Sequence, residues 1–180
     1  MPTLTKPNEL YPRLARINFA LLAAFAVFTI IFDGGNVITR ERVYDRWMAT
    51  GVLFIVFALF WIVVKKATSR NHVFAALLGC VLAELCLAGF MTYWERGMAS
   101  TSTLLYLVPI ASIATAKSRT YTMGTALFAT ATYMIAATKY FYDFFNEGYR
   151  VQLYGEIFFY GAVFLITGWI IAGLAHAAKK

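Results

Sequence analysis

The stretch VFAALLGCVLAELCLAGFMTYW, Val73 to Trp94, decides the fold. It is apolar almost throughout and carries one charge, Glu84, near its middle. About twenty such residues cross ~30 Å of hydrocarbon as an α-helix. A carboxylate at that depth costs about 2.5–3.5 kcal/mol on insertion scales, so an ionisable residue there marks a functional-site candidate that needs a partner. Glu84 lies about eleven residues from the start of its helix, or ~17 Å at 1.5 Å per residue. The same depth falls at Tyr106, Thr130 and Thr167 in later apolar runs, and no Lys or Arg shares it. The expectation is a neutral carboxyl that donates to a hydroxyl or a carbonyl. Three roles stay open for it: an interhelical hydrogen bond, a ligand-binding or proton-relay site, and an oligomer contact.

Similar apolar runs recur along all 180 residues, at about 17–32, 47–64, 97–116, 120–138 and 157–178. With 61% hydrophobic and 14% charged residues, the chain is far from soluble domains, where charged residues make up about 25%. The expected class is all-α, a polytopic membrane protein of six transmembrane helices forming one membrane domain over residues 1–180. Uninterrupted runs without alternation exclude a membrane barrel. Connections of about fifteen residues or fewer leave no room for an appended soluble catalytic domain. The first run, Ile17 to Phe32, ends in Asp33-Gly34-Gly35 with no small-x-small cleavage pattern, which predicts a retained helix.

The net charge of +7 is distributed by topology. Lys6, Arg13, Arg16, Lys65, Lys66, Arg70, Lys117, Arg119, Lys179 and Lys180 flank one side, against Glu9 alone. The opposite side mixes Arg40, Arg42, Arg46, Arg96, Lys139 and Arg150 with seven acids. The positive-inside rule then places both termini in the cytoplasm, and the same distribution argues against a nucleic-acid partner. Trp47, Tyr93, Trp94, Tyr140, Tyr142, Tyr149 and Tyr154 sit near the outer ends, as an interfacial aromatic belt does. The tyrosines at 140, 142, 149 and 154 also make a candidate outer-loop pocket, in a connection read as Tyr140 to Tyr154. Likewise Asp33 to Arg46 reads as a charged loop.

Small residues recur at helical spacing on two runs: Ala75, Gly79 and Ala83 on the third, and Gly161, Gly168, Ala172 and Ala175 on the sixth. Such faces let helix backbones approach closely, so both helices are expected to be central. Cys80 and Cys86 are about 240° apart around a helix and cannot pair with each other. His72 and His176 are isolated, no metal-ligand spacing is present, and no nucleophile–base–orienter set is visible. No catalytic residue, metal or other cofactor is therefore expected, and the reading is non-enzymatic. Pro109 is expected to kink the fourth helix and to free a carbonyl near Leu105 or Tyr106.

The segment Arg96-Gly97-Met98-Ala99-Ser100-Thr101-Ser102-Thr103, then Leu104-Leu105-Tyr106-Leu107-Val108-Pro109-Ile110, then the basic turn Lys117 to Arg119 and an Ala/Thr-rich helix, resembles the six-helix membrane input modules of bacterial sensor histidine kinases. The resemblance covers about residues 96–133 together with the span number. It implies a sensor-like or small-ligand-binding module of the bacterial cytoplasmic membrane that acts through a protein partner. No phosphoacceptor-histidine region or ATP-binding domain appears in this sequence, so kinase activity is not implied. Size and span number are also similar to the substrate-binding S-components of energy-coupling-factor transporters, whose small-residue docking face on the first helix would correspond to Ala20 and Ala24. That resemblance implies the alternative, a transport subunit. A structural subunit of a membrane complex is the third reading.

Overall fold

A computed structural model describes residues 7–35, 39–66, 70–95, 101–144 and 150–177. Among them all regular structure is helical: α1 (Pro7–Gly34), α2 (Arg40–Lys66), α3 (Arg70–Trp94), a 3-10 helix (Thr101–Tyr106), α4 (Leu107–Ala114), α5 (Arg119–Phe144) and α6 (Arg150–Ala177). Four segments are long and apolar enough to cross a membrane, Arg16–Gly34, Arg40–Val63, Asn71–Trp94 and Val151–Ala175. Large apolar side chains such as Phe54, Ile135, Phe158 and Leu174 stand exposed along the helices, which suits contact with lipid chains.

Two expected spans take a different form. Among its described residues the fourth comprises six of 3-10 helix and eight of α-helix, about 24 Å at the respective rises per residue; residues 97–100 of the expected span lie outside the described residues. Pro109 explains the junction. It has no N–H to offer the Leu105 carbonyl, so an α-helix cannot run back through Tyr106 by that bond. At the third position of α4 that missing N–H costs nothing, because the first turn has no intrahelical acceptors. The proline thus starts a helix instead of kinking one. Helix α5 has 26 residues, about 39 Å, but its threonines keep it off the set of strongly apolar helices.

Two expected loops are also shorter than read. Helix α2 begins at Arg40, where the Thr39 carbonyl accepts from the Val43 N–H at 3.0 Å. Helix α5 runs on to Phe144 and α6 starts at Arg150. Charged residues at these helix ends had the appearance of loops because an apolar-run criterion stops at the first charge.

The chain divides into two compact units, Lys6–Cys80 and Val81–Lys180, with the division inside α3. In the first, α1 packs on α2. Leu22, Phe25 and Thr29 share one face of α1, and Leu53, Phe57 and Phe60 share one face of α2, by the i, i+3/i+4, i+7 rule. Arg46, read as a loop charge, is buried, with its guanidinium 4.8 Å from the Phe32 ring centre and 5.9 Å from that of Phe25. Aromatic faces offer a cation partial compensation for leaving water. The Asn18 amide donates to Cys80 Sγ at 3.8 Å.

In the second unit α5 pairs most extensively with α6, and α4 packs on both. The glycine stripe of α6 makes this possible. A Cβ at Gly168 would stand 2.6 Å from Ala126 Cβ, and one at Gly161 would stand 3.0 Å from Thr130 Cγ2. The opposite side of α6, including Phe158, Phe159 and Trp169, is exposed, so α6 has one packed face and is not enclosed. The stripe on α3 behaves otherwise: Ala75 and Gly79 are exposed, and nothing lies within 4 Å of a Cβ built at Gly79.

Candidate functional site

Glu84 is 2% exposed and its Oε1 accepts a 3.0 Å hydrogen bond from Ser112 Oγ on α4. Both residues belong to the second unit. Ser112 was not among the depth-matched candidates, because counting from helix ends assumed that every span reaches the same level. The fourth segment instead presents a residue five positions from its basic turn. The turn is itself drawn in, with Ser118 and Thr122 buried and Lys117 held at a φ of 52° between α4 and α5.

The three expected partners have other placements. Thr130 is half-buried, and its hydroxyl donates to the Ala126 carbonyl one turn back at 3.0 Å. Threonines in apolar helices commonly spend their one donor this way, which leaves the hydroxyl oxygen as an acceptor only. Thr167 is half-buried on α6, next to Gly168. Tyr106 is fully buried, but in an aromatic cluster: its ring centre is 5.7 Å from that of Tyr133 at 85° and 5.3 Å from that of Phe164. Tyr133 further meets Phe164 at 5.8 Å and Tyr160 at 5.3 Å. Edge-to-face pairs of this kind add to the burial of the rings and fix their directions.

The cluster is oily in its rings and unsatisfied at its hydroxyls. Glu84 Oε2, Thr92 Oγ1, Tyr106 OH and Tyr133 OH are all buried without a hydrogen-bond partner. Gly89 makes room on α3 for the Tyr106 hydroxyl, which would lie 4.0 Å from a Cβ there. Thr92, Ser112 and Tyr133 are thus the members that the sequence reading missed. Tyr133 had a usable signal, being a phenol in mid-run far from either interface. Ser112 had none.

Three of the four tyrosines of the expected outer pocket are among the described residues. Tyr140 is half-buried and packs against Tyr93 at 6.2 Å and Phe144 at 4.8 Å. Tyr142 and Tyr154 are more than half exposed, at 62% and 53%, and Tyr149 lies outside the described residues. A different polar group forms near that end of α3. Tyr93 OH donates to Asp143 Oδ2 at 2.7 Å, and Lys139 Nζ donates to the same oxygen at 3.0 Å. Asp143 is accordingly held below the usual carboxylate range, first by the Tyr93 hydrogen bond and then by Lys139. Lys139 is raised, chiefly by its bond to Asp143. Among the described residues no group of three or more His, Cys, Asp or Glu could hold a metal ion, and Cys80 and Cys86 form no disulfide. No family model, curated protein or solved structure matches the chain.

Proposed function

We propose that the chain is a non-enzymatic integral membrane protein that serves as a sensor-like or small-ligand-binding module and acts through a protein partner. Its six helical segments lie in the bacterial cytoplasmic membrane with both termini cytoplasmic, the fourth segment being short. One observation carries the reading: four buried polar atoms from α3, the 3-10 helix and α5 have no partner in the same helical unit that holds the Glu84–Ser112 bond. Each orphaned buried group costs about 1–3 kcal/mol. Leu or Phe at these places would carry no such cost. Groups kept at such a cost suit a small polar ligand, or a proton, that completes their hydrogen bonds. The resemblance of residues 96–133 to sensor input modules points the same way.

Glu84→Gln and Tyr106→Phe test this. Both keep side-chain volume, so unfolding temperatures in detergent should stay close to wild type. Native mass spectrometry after gentle extraction should find a polar small molecule on the wild type and not on either variant. If the wild type retains none and Glu84→Gln unfolds as readily as it loses partner binding, the carboxyl is structural and the proposal fails.

A further inference from the structure

A second site, apart from the buried hydroxyls, opens on the flank of the same unit. Between the C-terminal half of α3 and the C-terminal half of α5 runs an apolar groove of about 320 Å³. Its floor exists because Gly89 has no side chain: a Cβ there would already stand 3.1 Å from Thr132 Cγ2. Phe90 and Ile135 wall it, 58% and 69% exposed. The volume is at the small end for ligand pockets, which suits one extended chain better than a bulky amphiphile. At its mouth Lys139 joins Tyr93 and Trp94, aromatic residues of the type that sits at headgroup level.

The mouth is the discriminating part. Lys139 and Asp143 form a neutral pair, with side chains 64% and 35% exposed. Lys139 spends one of its three N–H donors on Asp143 Oδ2, and Tyr93 donates to that same oxygen. The lysine therefore keeps donors for a phosphate, and Asp143 Oδ1 is left to accept from an ammonium. An anionic headgroup would meet the aspartate as well as the lysine, whereas sites for anionic lipids gather basic residues without an acid. We propose that this groove binds one acyl chain of a zwitterionic, primary-amine phospholipid, a phosphatidylethanolamine, with its phosphate on Lys139 and its amine on Asp143. The charge pattern of the mouth selects the headgroup and the Gly89 floor admits the chain. This holds whatever occupies the buried hydroxyl cluster.

The test reconstitutes the full chain into vesicles of equal phosphatidylethanolamine and phosphatidylglycerol, extracts it gently, and weighs the retained lipid by native mass spectrometry. Wild type should keep the ethanolamine lipid over the glycerol lipid by about tenfold. Lys139→Ala with Asp143→Ala should abolish the preference. These side chains are exposed, and an unchanged unfolding temperature verifies that the variant folds. Equal retention of the two lipids, or a preference surviving in the folded double variant, would each overturn the proposal.

Discussion

The two small-residue stripes read alike in the sequence and do opposite things in the fold. Gly161 and Gly168 on α6 are pressed against Thr130 and Ala126 of α5. Ala75 and Gly79 on α3 face open space within their own unit. Spacing of four or seven residues tells where a backbone could be approached. Whether it is approached depends on the other helix, and α5 is suited to the task. Its buried face carries Ala126, Ala129, Ala136 and Ala137, so two smooth surfaces meet. No comparable set of small residues faces Gly79, where the groove walls are Val56, Leu59 and Phe60.

The largest effect that sharpens this contrast belongs to Gly168→Ala. The new methyl would collide at 2.6 Å with Ala126 Cβ, which has no rotamer by which to move away. Overpacking costs about 1–3 kcal/mol, and the helix-propensity gain of alanine over glycine returns only about 0.5–1 kcal/mol. A net loss of about 2 kcal/mol is expected, read as a lower unfolding temperature in detergent. Removing the opposing methyl by Ala126→Gly in the same chain should recover most of the overpacking part. A double-mutant cycle that shows no coupling would break the close-contact reading of α5 and α6.

Gly161→Ala comes next. Its methyl would lie 3.0 Å from Thr130 Cγ2, the end of a side chain that can shift by a few tenths of an ångström. The overpacking term then falls near its lower limit, so the expected loss is below about 1 kcal/mol. Gly79→Ala reverses the sign. With nothing within 4 Å of the added methyl, only the propensity gain of about 0.5–1 kcal/mol remains. A loss of stability at Gly79 would mean that another helix covers this stripe in the membrane.

How legible the molecule was in its sequence follows the same division between capacity and partner. Helical class and the four strongest spans could be read because lipid demands long apolar runs, and Val73 to Trp94 satisfies that demand by itself. The carboxyl at Glu84 stood out because nothing local excuses it. Its partner did not, since Ser112 looks like any small helix residue until the 3-10 helix and Pro109 shorten the fourth segment. Arg46 was misplaced for a related reason: a charge beside a loop is assumed to be wet, and the Phe25 and Phe32 rings that receive it are distant in sequence. The buried hydroxyls of Thr92 and Tyr133 needed three-dimensional knowledge of which helix face turns inward.

The smallest effect concerns a place where α3 meets α5 through charge instead of small residues. Tyr93 and Lys139 both donate to Asp143 Oδ2, and the Asp143 carboxyl is held below the usual carboxylate range by them. A carboxylate whose folded value is depressed contributes stability that is fully present above its unfolded value, and that stability is lost as pH falls through the folded value. Lys139, shifted upward, stays charged throughout this acid window, so Asp143 alone sets the pH dependence there. Asp143→Asn should therefore unfold slightly earlier than wild type near neutral pH, and the two should converge as the pH drops below about 4. Solvent and salt screen so exposed a pair, so the gap should narrow further when ionic strength is raised. A gap that persists unchanged in acid would show that the Tyr93 hydrogen bond survives protonation. The contact at this end of the two helices would then owe nothing to charge.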